Sequence, residues 1–197
     1  MRCHAGTAGL EGEAPVHAWN RGEVKATLTL LLLALALAAP AVADPPGWKP
    51  YASTPGRFTV LLPATPTLTS SRVSTPAGQV EKNIFSVRSG ELSLSLNYSD
   101  LPTLALMFGG ANRIFDHAQG EFLKDIGGLL LSSAKQQWQG HAGRETTFEI
   151  PAADARGRFR MMLVGGRLYC MGAWHPDGAS VPGDWIESFF ASFRTTP

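Results

Sequence analysis

The chain has 197 residues, 44% of them hydrophobic and 17% charged, with 17 basic and 16 acidic side chains for a net charge of +1. So even a balance argues against nucleic acid or an anionic membrane surface as the main partner. The apolar content is that of an ordered globular chain rather than a disordered one.

Residues 24–43 read as a cleavable secretory signal peptide. Lys25 supplies the positive charge, and the apolar run Leu28–Ala39 is 12 residues long. Such a run suits an h-region and falls short of the ~20 residues that span a bilayer, so an uncleaved anchor is the weaker reading. Pro40 ends the run, and Ala41-Val42-Ala43 places small residues for cleavage before Asp44. No cysteine stands at the cleavage site just after the run, so a lipid-modified N-terminus is not expected. Residues 1–23 have no hydrophobic period and put two glutamates ahead of Glu23 and the signal. The expectation is that translation starts at Val24, through a GTG codon, and that residues 1–23 are not part of the precursor. Peptides from residues 5–20 in the unprocessed protein would refute this.

The expected mature domain, residues 44–197, is 154 residues with 14 basic and 13 acidic side chains, the size of one domain. It holds a single cysteine, Cys170, and so no internal disulfide. Asp44 to Thr54 is Pro-rich and extended, with Trp48 and Tyr51 as anchors. Residues 57–62 read as a first strand stopped by Pro63, and residues 68–74 and 79–88 as strands flanking a turn at Pro76-Ala77-Gly78. Leu92, Leu94 and Leu96 alternate with Ser93, Ser95 and Asn97, which predicts a strand with one face buried. Asn97-Tyr98-Ser99 also matches the short N-glycosylation pattern.

The period then becomes helical. Leu104, Met107, Phe108, Ile114, Phe115, Ala118, Phe122 and Ile126 recur at spacings of three and four, with Arg113 and Asp116 on the other side. Gly109-Gly110 shortens or breaks the start, and Gly127-Gly128 stops the helix. Strands follow at 130–137 and 144–150, then a hairpin, then a helix presenting Trp185, Ile186, Phe189, Phe190 and Phe193, capped by Ser180 or Asp184. The order predicts an α+β fold: a twisted, largely antiparallel sheet of about six to seven strands with helices on its faces.

Several phrases in this order resemble exported bacterial domains of the PsbP-like α/β/α class. They are Trp48-Lys49-Pro50-Tyr51, Pro55-Gly56-Arg57-Phe58-Thr59-Val60, Gly140-His141-Ala142-Gly143-Arg144-Glu145, Gly166-Arg167-Leu168-Tyr169 and Phe189-Phe190-Ala191-Ser192-Phe193. The resemblance covers nearly all of residues 48–194. It implies the same fold in a periplasmic or secreted protein, and accessory rather than enzymatic members. No catalytic residue is carried over, since fold analogy is a poor guide to activity.

If Gly165-Gly166 is a two-residue turn, Val164 faces Arg167, and Met161, Leu163 and Phe159 face Cys170, Leu168 and Gly172 on one apolar face. Cys170 is then a buried small hydrophobe with no basic neighbour on that face to activate it. The other face carries Arg158, Arg160, Arg167 and Tyr169, with Met171 beside them and Arg156 just outside. This stripe offers a carboxylate, a phosphate or an acidic partner segment a bidentate site. Alternatively it is an outer sheet face whose arginines pair with Glu145, Glu149 or helix carboxylates.

Asp116 and His117 are adjacent on a helix and point about 100° apart, so they form no direct pair. His141 and His175 lie at turns. No metal-ligand spacing, nucleophile elbow or phosphate loop is present in the sequence. No cofactor or metal is expected. The favoured function is a non-enzymatic exported domain that binds an envelope protein or a small anionic ligand, with Arg158, Arg160, Arg167, Tyr169 and His175 as candidate ligand-binding residues. It would touch membrane only through its transient signal. Two alternatives stand: a hydrolase-like enzyme with a site assembled near His175, Asp177 and the arginines, or an envelope-integrity factor using a groove lined by Trp138, Trp174 or Trp185.

Overall fold

A computed structural model describes residues 44–75 and 78–197. The expected leader (1–23), the signal peptide (24–43) and the turn residues Pro76 and Ala77 lie outside the described residues.

Ten strands and two helices follow in the order β1 (Lys49–Ser53), β2 (Phe58–Leu62), β3 (Thr67–Thr75), β4 (Gly78–Ser89), β5 (Leu92–Asp100), α1 (Thr103–Ile126), β6 (Leu129–Trp138), β7 (His141–Ile150), β8 (Ala155–Val164), β9 (Arg167–Pro176), α2 (Gly183–Ser192) and β10 (Arg194–Thr195). Seven strands form one antiparallel sheet in the order β3-β4-β5-β9-β8-β7-β6. It consists of two meanders, β3–β5 and β6–β9, joined where Leu96 pairs with Met171. The α+β class and antiparallel sheet are those predicted.

Three elements depart from expectation. The Pro-rich opening is a strand, β1, because its Lys49–Ser53 backbone pairs residue for residue with Leu62–Phe58. With β10 it makes a second, three-stranded sheet in the order β1-β2-β10. Helix α2 has neither Ser180 nor Asp184 as its cap: Pro182 takes that position without a side-chain hydrogen bond, and Asp184 sits in the first turn, where its charge complements the helix dipole.

The β8–β9 hairpin forms in the predicted register, Met161 opposite Cys170 and Phe159 opposite Gly172. Both turn residues have positive φ, 54° at Gly165 and 91° at Gly166, as a type I′ turn requires. Sequence reasoning left the opposite side of this hairpin either a stripe that binds an anionic group or an outer face whose arginines pair with carboxylates. Instead both sides are buried. On one, Leu92, Leu94, Leu96, Met162, Tyr169 and Met171 pack against β2 and the Phe189, Phe190 and Phe193 side chains. On the other, Phe148, Phe159, Met161, Leu168 and Cys170 pack against Phe115 and Phe122 of α1. The polar residues of β5 are not on a solvent face either: Ser93, Asn97 and Ser99 are buried. A buried Asn97 in a central strand is no acceptor for a glycan.

Candidate functional site

The predicted arginines divide into two groups, both beneath the face that α2 covers. Arg158 Nη2 lies 2.6 Å from Glu187 of α2, and its guanidinium sits 5.4 Å from the Phe190 ring centroid. Arg160 pairs with Glu145 and also reaches Glu187 at 3.5 Å, lying between the rings of Phe190 and Trp138 at 4.4 and 5.2 Å. Arg167 lies further along β9. It donates to both carboxylate oxygens of Asp100, at 2.6 and 2.7 Å, and to the Pro55 carbonyl at 2.7 Å. Tyr169 Oη donates to the Gly56 carbonyl at 2.8 Å, so both residues fasten the turn into β2. The hydrogen bonds with Arg167 hold the Asp100 carboxyl below its ordinary range, and burial raises the Tyr169 hydroxyl. His175 lies opposite Arg156 at the end of the same strand pair but makes no hydrogen bond or ion pair with the arginines among the described residues; its Nδ1 is 2.9 Å from the Pro176 carbonyl oxygen, while Arg156 pairs with Asp177 at 3.1 Å. The fold therefore gives each guanidinium a carboxylate. A concavity of about 450 Å³ borders Arg160, Trp138 and Arg194, but the Arg160 charge there is already met by Glu145 and Glu187.

The tryptophans do not line one groove. Trp138 and Trp185 pack on the α2 side and Trp174 on the α1 side.

A groove does exist on the α1 face. Helix α1 is held to the β6–β7 half of the sheet: Arg144 pairs with Asp116, and Gln119 accepts hydrogen bonds from Thr146 and Ser133 at 2.9 Å each. Among the described residues no second helix covers the β3–β5 half, so a trough runs between α1 and these strands. It comprises two adjoining cavities, of about 450 and 150 Å³, that share Val80, Leu101, His117, Ala118 and Leu168 as lining. A salt bridge of 3.1 Å from Lys82 on β4 to Asp125 on α1 crosses the narrower one.

The wider cavity is walled by the first turns of α1, and there the predicted apolar stripe fails to bury. Leu104, Met107 and Phe108 are 51, 71 and 70% exposed. The cause is Gly110, whose φ of 60° and ψ of 157° interrupt the helix and separate these turns from the stripe that follows. That conformation is accessible essentially to glycine alone. Arg113 and His117 also line the wider cavity, and neither makes a hydrogen bond or ion pair among the described residues. Both are exposed at the rim, Arg113 on the solvent side where sequence reasoning placed it, and His117 where that reasoning gave it no role. The available signal was the Gly109-Gly110 pair, since a break there shifts which residues share a face.

Cys170 lies on the floor of the narrower cavity. Burial pushes its thiol up to about 12, and Lys82, a basic neighbour that the hairpin pattern did not reveal, only partly offsets this. Among the described residues no group of three or more His, Cys, Asp and Glu side chains is placed to hold a metal ion.

No protein-family profile matches the sequence, and no curated protein matches it at a significant level. Among solved structures, cyanobacterial PsbP (CyanoP) from Synechocystis sp. PCC 6803 superposes with a TM-score of 0.52 at 11% identity, covering 81% of this chain and 99% of that one. A protein of unknown function from Pseudomonas aeruginosa, PA94, covers 66% of this chain and 84% of its own at 11% identity, with a TM-score of 0.32, too low to bear on the fold. At these identities the likeness speaks to architecture alone. The chain has a PsbP-like α+β fold.

Proposed function

We propose that this chain is a non-enzymatic binding domain, exported to the periplasm or medium, which holds a small, largely apolar ligand in the trough beneath α1. The observation that carries this reading is the wider cavity itself. At about 450 Å³ it falls within the size range of small-molecule sites and is walled mainly by apolar side chains with few polar groups. The groups that could do chemistry support a binding role. His117 has no hydrogen-bonded carboxylate among the described residues, and the buried Cys170 thiol is held protonated at neutral pH. The arginine row is read as structural, because Arg158, Arg160 and Arg167 are each paired. The exported location rests on the signal-like segment 24–43.

A neutral naphthylamine fluorophore should bind the purified protein at one site, and Ala118→Trp should abolish that binding while leaving the far-ultraviolet circular dichroism unchanged. Equal binding to the folded variant would remove the trough from consideration. Substrate turnover lost on replacing His117 would overturn the non-enzymatic part.

A further inference from the structure

The charges around the trough are unevenly placed, and their placement selects a kind of ligand. Arg113 and His117 are the charged or titratable residues that line the wider cavity, and no carboxylate lines it among the described residues. At the narrower end the situation reverses: Glu121 and Asp125 face the cavity together with Lys82, whose charge Asp125 already meets. Between the two ends the shared lining is mainly apolar, Val80, Leu101, Ala118 and Leu168, with Thr75 and His117 also common to both cavities. Arg144, Arg158, Arg160 and Arg167 are neutralised by carboxylates of the fold, whereas Arg113 is not.

We propose that the trough takes a single-tailed amphiphile with an anionic head, its tail lying along Val80, Ala118 and Leu168 and its head meeting Arg113, with His117 as a second donor. This rests on the trough being the binding site. A planar guanidinium at the mouth of an apolar cavity receives a carboxylate or phosphate in bidentate fashion. A cationic head gains nothing at that end, and at the other end it would compete with Lys82 for Asp125. At the narrow end each carboxylate already has a lysine, Asp125 with Lys82 and Glu121 with Lys124 at 4.0 Å, so no unpaired cation among the described lining residues draws an anionic head there and Arg113 sets the orientation.

The test measures binding of decanoate, decanol and decyltrimethylammonium, all below their aggregation concentrations, by isothermal titration calorimetry. Decanoate should bind at least tenfold more tightly than decyltrimethylammonium. Arg113→Gln should weaken decanoate about tenfold and change decanol less than twofold. Octanoate should bind roughly fifteenfold more weakly than decanoate, about fourfold for each methylene lost from an apolar contact. If decanol binds but decanoate shows no advantage over the cation, or Arg113→Gln leaves decanoate unchanged, the anionic head is wrong while the trough stands. If none of the three binds, both readings fall.

Discussion

The two faces of the seven-stranded sheet are covered differently. The face under α2 and the small sheet is closed at its centre, where Phe58, Phe189 and Phe193 are each no more than 1% exposed; it opens at the Trp138–Arg194 edge, and its guanidiniums are clamped by Asp100, Glu145 and Glu187. On the opposite face one helix covers only half of the strands and leaves a trough. The fuller burial on one side supplies stability, and the incomplete burial on the other leaves the space in which we propose a ligand sits.

The sharpest way to break this contrast is to truncate a side chain on the closed face. Phe189→Ala should cost about 3–5 kcal/mol in urea unfolding, since the side chain is fully buried and the cavity cannot fill with water. A smaller loss, about 1–3 kcal/mol, is expected for Gly157→Ala. A Cβ at this position would lie 2.5 Å from the Ala173 carbonyl oxygen and 2.6 Å from Phe148, and strand backbone cannot give way.

Weaker still is the clamp. Asp100→Asn should cost about 1 kcal/mol, less than a buried charged hydrogen bond, because the Asp100 side chain is 66% exposed and solvent screens it. Its pH signature has a definite sign. The folded-state Asp100 is more acidic than the unfolded one, so its contribution is full above the ordinary carboxylate range and fades as pH falls through the lowered folded value. The variant should therefore differ from the parent at pH 7 and converge with it in strong acid, followed by denaturant midpoints across pH. Ala118→Trp should move stability least, within about 0.5–1 kcal/mol, because the ring enters open space. A large loss there would show that the trough wall is as tightly packed as the closed face.

Strong local patterns made much of the fold legible. Alternation announced β5, glycine pairs announced the β8–β9 turn and the break in α1, and the hairpin register followed from its turn. The three-stranded sheet was hidden because β1 contains Pro50 and owes its form to pairing with β2, a tertiary event that propensity does not record. The second buried face was missed for a related reason. Arginine at alternate positions normally signals water; pairing with Glu145 or a helix carboxylate was among the readings, but not that α2, which supplies Glu187, would cover the face. The trough was beyond sequence reasoning, since it depends on which strands α1 fails to cover. The PsbP-like architecture was nonetheless readable from phrase order, and the superposition on cyanobacterial PsbP agrees with it.

The junction between the two meanders has a consequence for how the chain folds. β3–β5 can pair locally, yet the inner edge of β5 stays open until β9 arrives, after a 24-residue helix and three further strands. Loop closure over that distance is slow, and an unpaired strand edge invites association with other chains. The last large strand is therefore also the closing piece, and a chain that still lacks β9 could not complete either core. In refolding followed by pulsed hydrogen exchange, amides of β5 and β9 should become protected in one phase; early protection of β5 on its own edge would show that the first meander stands without its partner.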